Sequence, residues 1–133
     1  MLAFMQFVFE DSEVAGLQVS ADAPHRLTVR FSAARVVEEA GRTGSGEGRW
    51  MRLLLICELD TQMDKGLDVS GRLDGGQVLL DGQRLRSLPL PHEIRQPLVL
   101  ELDFASGAHC RVQGRALQLR PVAAQCATDS FQC

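Results

Sequence analysis

The chain has 133 residues and a formal net charge of −3, and 45% of its residues are hydrophobic. This length fits a single domain that buries a core without metals or disulfides as supports. The weakly acidic balance disfavours nucleic acid and an anionic membrane as partners, because both attract basic surfaces. We expect one domain over residues 1–120 and a C-terminal tail over residues 121–133.

The positive charges are almost all arginine: thirteen arginines stand beside a single lysine, Lys65, and the chain has no asparagine or tyrosine. We interpret this bias as the codon usage of a GC-rich bacterial genome. An arginine-rich face that binds phosphate is the alternative, because a guanidinium suits bidentate phosphate contacts. The arginines are scattered among 17 acidic residues, which favours the compositional interpretation.

The N-terminal run over residues 1–9 is apolar, but no basic residue precedes it and no small-residue cleavage site follows it. It is therefore a poor signal peptide. No stretch approaches the roughly 18 uninterrupted apolar residues that a membrane helix needs. These features predict a cytoplasmic protein.

Strand patterns dominate the chain. Residues 5–9, 16–20 and 26–31 each have a strand pattern, and residues 50–59 are apolar on both faces, which is typical of a central strand. Residues 33–40 fit either a short helix or an extension of the preceding strand. We favour the strand because two adjacent valines in this segment are β-branched.

The clearest element is a β-hairpin. Residues 98–104 alternate between apolar side chains and a second set that includes two acids, which is the pattern of a half-buried strand. Residues 105–107 end in glycine and form a common three-residue hairpin loop before the strand resumes.

One register of this hairpin satisfies both faces. It places Leu102 opposite Cys110 on the inward face, and Glu101 opposite Arg111 on the outward face. Opposite charges across strands are mildly stabilising, so the two faces support each other. The same register pairs two further sets: Leu100 with Val112, and Asp103 with His109.

A second hairpin is predicted over residues 68–80, with its turn at Asp74-Gly75-Gly76, because such residues supply positive φ without steric cost. Asp81-Gly82 marks another tight turn before a strand over residues 83–88. Turns at this spacing indicate about eight or nine antiparallel strands in a sandwich or small closed barrel.

Residues 38–49 are rich in glycine and charge, and we expect residues 41–48 to be the most mobile internal segment. The glycines do not form a phosphate-binding loop. Such a loop needs a lysine followed by serine or threonine, whereas Glu47 follows Gly46 here.

Metal sites have no support in the sequence. Residues 92–96 begin like a zinc-protease helix, but the second ligand position is Gln96 and nearby prolines prevent a long helix. We expect a loop there. Cys126 and Cys133 are too widely spaced for a structural zinc site. A disulfide between them would form after export or oxidation, whereas in a cytosol we expect both to stay reduced. We predict no cofactor, and folding without metal or disulfides.

Catalytic groups are equally unsupported. Cys57 and Cys110 fall inside strand patterns, where a cysteine usually behaves as a small buried hydrophobe. No serine lies in a Gly-x-Ser-x-Gly elbow. No set of residues combines a nucleophile, a base and an orienting group, so we do not expect an enzyme.

Trp50 is the only tryptophan and lies between Arg49 and Arg52. Tryptophan and arginine are enriched in binding hot spots, which makes these three residues the candidate interaction site. The alternative is that Trp50 begins a long apolar strand as a core or rim residue.

Three functional hypotheses follow. The first is a non-catalytic module that binds another protein or its own copy, and we expect a homodimer. The second is a β-barrel carrier for a small molecule, because barrels of about eight strands hold one ligand. The third is an enzyme that uses Cys110 or His92, and it has the least support.

Overall fold

The computed structural model describes residues 4–20, 22–39, 47–63 and 69–122. Within these ranges the chain forms one antiparallel sheet of nine strands, so the predicted all-β class and strand number are confirmed. No helix in the described ranges is long and apolar enough to cross a membrane. The strands are β1 (Phe4–Ser20), β2 (Ala23–Glu39), β3 (Glu47–Leu59), β4 (Gly71–Leu80), β5 (Gln83–Leu85), β6 (Ser87–Leu90), β7 (His92–Ile94), β8 (Leu98–Phe104) and β9 (His109–Pro121).

The sheet closes into a ring of six strands. The neighbours run β4–β8–β9–β3–β2–β1, and β1 returns to pair with β4. This closing contact spans only two residue pairs, Glu13 with Arg72 and Val14 with Gly71, so the ring is not a clean barrel. The three short strands lie outside the ring: β5 pairs with β4, β6 with β1, and β7 with β9.

The interior of the ring is filled by apolar side chains. The rings of Phe7 and Phe9 meet edge to face at 4.8 Å between centroids, and Phe31 lies 5.0 Å from Phe7. Such aromatic pairs contribute about 0.5–1.5 kcal/mol beyond the area that they bury. Leucines from the ring strands pack around them, including Leu27, Leu53, Leu55, Leu73, Leu100, Leu102, Leu117 and Leu119.

The β8–β9 hairpin has the predicted register. Leu102 pairs with Cys110 and both are buried, whereas Glu101 pairs with Arg111 on the outer face. The Nε atom of Arg111 donates to Glu101 at 2.8 Å, and Gln77 on β4 donates to the same carboxylate at 2.6 Å. These hydrogen bonds from Gln77 and Arg111 lower the pKa of Glu101.

The predicted turn at residues 74–76 is wrong, because β4 runs through it as a continuous strand. The glycine at position 76 serves close packing instead. A Cβ atom there would lie 2.9 Å from Cδ1 of Phe9 and 3.0 Å from the carbonyl oxygen of Glu101. The turn at Asp81 and Gly82 is confirmed, with φ values of 51° and 80°.

Other boundaries also differ from the sequence expectations. Residues 5–9 and 16–20 belong to one long strand, β1, and residues 33–39 extend β2 as favoured. Residues 92–94 form the short strand β7 where a loop was expected, because Ile94 is buried and pairs with β9. The expected mobile segment lies mostly outside the described residues; its last two, 47 and 48, begin β3.

A large bulge divides β1 into two halves. Val8 pairs with Arg35, but the next pair joins Glu13 to Ala33, so β1 has extra residues at this point. Asp11 adopts a positive φ of 73° within it. The fully buried hydroxyl of Ser12 donates to the Val8 carbonyl at 2.7 Å and accepts from the Arg35 amide at 2.8 Å. These bonds satisfy backbone groups that the bulge removes from the ladder.

We predict that Ser12→Ala destabilises the fold by about 1–3 kcal/mol, because the Arg35 amide loses its partner inside the protein. Chemical denaturation measures the change in the free energy of unfolding. Ser70→Ala is the matched control, because Ser70 is exposed. Equal stability of the two variants would contradict the role given to Ser12.

Candidate interaction surface

The cysteine thiols are buried and chemically quiet. Cys57 lies on the inward face of β3 at 0% exposure, and burial raises the pKa of its thiol to about 12. The nearby charges of Glu58 and Asp60 add to this effect. Burial also raises the pKa of Cys110. A thiolate is the reactive form, so neither residue has the environment of a nucleophile.

Metal-binding groups do not converge in the part of the chain that the structure describes. No three histidine, cysteine or acidic side chains there are placed to hold a metal ion. Cys126 and Cys133 lie outside the described residues. His92 pairs with Leu119 on the short strand β7, and it is half-buried.

The shifted thiol predicts an alkaline loss of stability. An unfolded cysteine ionises above about pH 8.5, whereas folded Cys57 keeps its proton. The unfolding free energy should therefore fall between about pH 8.5 and the folded pKa of about 12, by on the order of 1 kcal/mol per pH unit.

The test measures the free energy of unfolding of Cys57→Ala and of the parent chain by chemical denaturation between about pH 8 and about pH 10.5, where the linkage should act. Cys57→Ala should lose less stability than the parent chain as the pH rises. Cys110→Ala should still show the loss of stability that comes from Cys57. The chain has no tyrosine and one lysine, so the other side chains that titrate there are mainly the three remaining cysteines. An unchanged alkaline slope in Cys57→Ala would refute this account.

The outer face of β3 carries a row of apolar side chains. Leu53 and Leu55 point into the core, so Leu54 and Ile56 between them point outward, where they are half-buried. Apolar side chains on both faces of this strand were expected from its sequence. The neighbouring strands β2 and β9 cover the strand edges but not this outer face.

Arginines border this row on both sides. In the row of residue pairs through Leu54, Arg30 of β2 lies on one side and Arg120 of β9 on the other. Arg52 precedes Leu54 by two residues on the same face of β3. We call these residues the arginine-bordered strip: Arg30, Arg52, Leu54, Ile56, Arg120 and Val122.

The three arginines of the strip have no ion pair with any residue that the structure describes. Nearby basic side chains do have partners, such as Arg26 with Glu58 at 2.9 Å. The strip is therefore a local cluster of three positive charges on a chain whose net charge is −3.

A shallow cleft opens within the strip. It has a volume of about 340 Å³ and is lined by Arg30, Arg52, Leu54 and Val122 together with residues of β1 and β2. The amide of Val122 donates to the carbonyl of Arg52 at 3.0 Å, which continues the β3–β9 ladder past Pro121. This contact places Val122 beside Arg52, and both line the cleft with Leu54.

The structure separates the three residues that the sequence singled out. Trp50 is 60% exposed and shares the outer face of β3 with Arg52. Arg49 points to the opposite side, where it pairs with Glu38 at 3.1 Å. Arg30 and Arg120 could not be predicted from the sequence, because only strand pairing brings them into the strip.

No known protein family, curated protein or solved structure matches the chain.

Proposed function

We propose that this chain is a non-catalytic interaction module that binds an acidic partner protein through the arginine-bordered strip. One observation carries the proposal: three arginines, which have no ion-pair partner among the described residues, border outward apolar side chains on the sheet. An apolar centre with arginine at its border is typical of protein interfaces.

Charge defines the partner. Arg30, Arg52 and Arg120 would each gain a carboxylate partner from an acidic surface, and the guanidinium group suits such bidentate pairing. The half-buried Leu54 and Ile56 would contact apolar side chains of that partner. A basic strip on an acidic chain also orients an approaching acidic protein toward this face.

The packed interior favours a module over the carrier hypothesis. A carrier encloses its ligand in a cavity within the barrel. Here Phe7, Phe9 and Phe31 meet at the centre with fully buried leucines around them. The volume in which a carrier would hold its ligand is occupied by these side chains.

Self-association is the second form of this proposal, and it would use the same face. Leu55 is fully buried on the inward side and is not available to a partner, whereas Ile56 faces outward. Ile56 is flanked by the uncharged Thr28 and Gln118. Two copies centred on Leu54 would oppose like charges, so we favour the acidic partner.

Trp50 provides the readout for a binding test. It is the only tryptophan, is 60% exposed, and lies on the same strand face as the strip. The probe is a synthetic peptide of repeated Glu-Glu-Leu-Leu, because each face of its extended form then carries both acids and leucines. We expect saturable changes in Trp50 emission that weaken with added salt.

The variant Arg30→Gln/Arg52→Gln/Arg120→Gln should weaken this binding at least about tenfold, since each lost charged hydrogen bond costs about 1.5–3 kcal/mol. Arg115→Gln, an exposed arginine of β9 outside the strip, should bind like the parent chain. A lysine–leucine peptide of equal length should not bind. Equal binding by the triple variant, or tighter binding of a DNA oligonucleotide, would overturn the proposal.

Sedimentation equilibrium tests the self-associating form. If two copies meet at Ile56, the mass should exceed 14.6 kDa and Ile56→Asp should return it to that value with the chain still folded. A mass of one chain at every concentration would rule out the homodimer and leave the acidic partner as the remaining form.

A further inference from the structure

The ring has a seam between β1 and β4. On one edge, β1 pairs with β6 over residues 5–8 and with β4 only at residues 13 and 14. On β4, residues 78–80 pair with β5 and residues 71–72 with β1. Between these contacts, residues 73–77 of β4 have β8 on one edge and no strand partner on the other within the described chain.

A cleft of about 460 Å³ lies at this open edge, and we call it the seam cleft. Its lining comes from β1, β4, the end of β8, and the chain around β5. This volume falls within the range of about 300–1,000 Å³ that ligand sites occupy. The lining residues are Val8, Glu10, Asp74, Gly75, Gly76, Gln77, Arg84, Arg86 and Asp103.

Opposite charges line the seam cleft. Arg84 and Arg86 both line the cleft, whereas Leu85 between them packs against the core. Glu10 and Asp74 contribute carboxylates from β1 and β4. None of these four side chains forms an ion pair with a residue that the structure describes.

Two adjacent glycines, Gly75 and Gly76, line the seam cleft. A glycine inside a strand often marks the close approach of a ligand or another backbone. At Gly76 the approaching group is visible, namely the ring of Phe9. At Gly75 a Cβ atom would meet nothing within 4 Å, so no contact with a described residue accounts for this glycine.

We propose that the seam cleft binds a short peptide with free termini, in extended form along the open edge of β4. The unpaired backbone edge supplies hydrogen bonds, as in other cases of strand addition. Arg84 and Arg86 bind the peptide carboxylate, and Glu10 and Asp74 bind its ammonium group. The missing side chain at Gly75 leaves room for the peptide backbone.

The test uses trialanine as the probe, with its acetylated and amidated analogue as the comparison. Amide chemical shifts of residues 73–77 should move saturably with trialanine at millimolar concentrations. The blocked analogue lacks both charges and should bind at least about tenfold more weakly, a difference of about 1.4 kcal/mol. No saturable shift at these residues would overturn the proposal.

Gly75→Val adds a side chain at a position where a Cβ atom meets nothing within 4 Å, so it should weaken binding while the chain keeps its melting temperature. Gly48→Val is the matched control, because a Cβ there also meets nothing within 4 Å. A folded Gly75→Val variant that binds like the parent chain would sink the proposal.

A second pair of substitutions tests the charge of the cleft separately from the room left by Gly75. Arg84→Gln/Arg86→Gln should weaken binding of free trialanine and leave the blocked analogue unaffected; an equal loss for both peptides would refute the carboxylate contact. These residues lie outside the arginine-bordered strip, so the outcome is independent of the acidic-partner proposal.

Discussion

The ring depends on the bulge in β1, where the buried hydroxyl of Ser12 bonds to the backbone. β1 must remain paired with β2 along one edge while its other edge passes from β6 to β4. The bulge makes this change of partner, and a bulge leaves backbone groups without ladder partners. Ser12 satisfies two of them, at Val8 and Arg35. Ser12 is the one buried polar side chain among the described residues, and it satisfies the backbone where β1 changes partner.

The same bulge links the closure of the ring to its two surfaces. The strand pairing between β1 and β4 is limited to residues 13–14 and 71–72, and the seam cleft lies beside it. The bulge also coincides with a shift in the β2–β3 register between Phe31 and Ala34. On the far side of that shift Trp50 pairs with Arg35, and on the near side Leu54 pairs with Arg30. A local irregularity therefore sets which side chains reach the outer face.

The sequence predicted the structure correctly where residues close together in the chain determine it. The β8–β9 register was predictable because inward apolar residues and outward charges agreed on a single alignment. The prediction failed at residues 74–76, where Asp-Gly-Gly has the composition of a turn. The actual requirement is the ring of Phe9, more than sixty residues earlier in the chain, and no local pattern contains it. The strand β7 has three residues, too few to show a period.

The candidate surface was predictable only in part, for the same reason. Trp50 and Arg52 are close in sequence and stood out by residue type. Arg30 and Arg120 come from strands on either side of β3, and only the pairing of three strands places them in one row with Leu54. Whether an arginine has an ion-pair partner also depends on the folded structure. Arg26 lies close enough to Glu58 to form an ion pair, whereas Arg30 has no such partner among the described residues.

The order of strands in the ring bears on how the chain folds during synthesis. β1, β2 and β3 are neighbours in sequence and in space, whereas β3 finds its second partner in β9, with Leu55 opposite Leu119. Contacts of such high sequence separation slow folding, which in β proteins takes milliseconds to seconds. Until β9 leaves the ribosome, one edge of the long apolar strand β3 has no partner in the nascent chain. Such an edge can pair with the wrong strand, and chaperones limit this kind of mispairing.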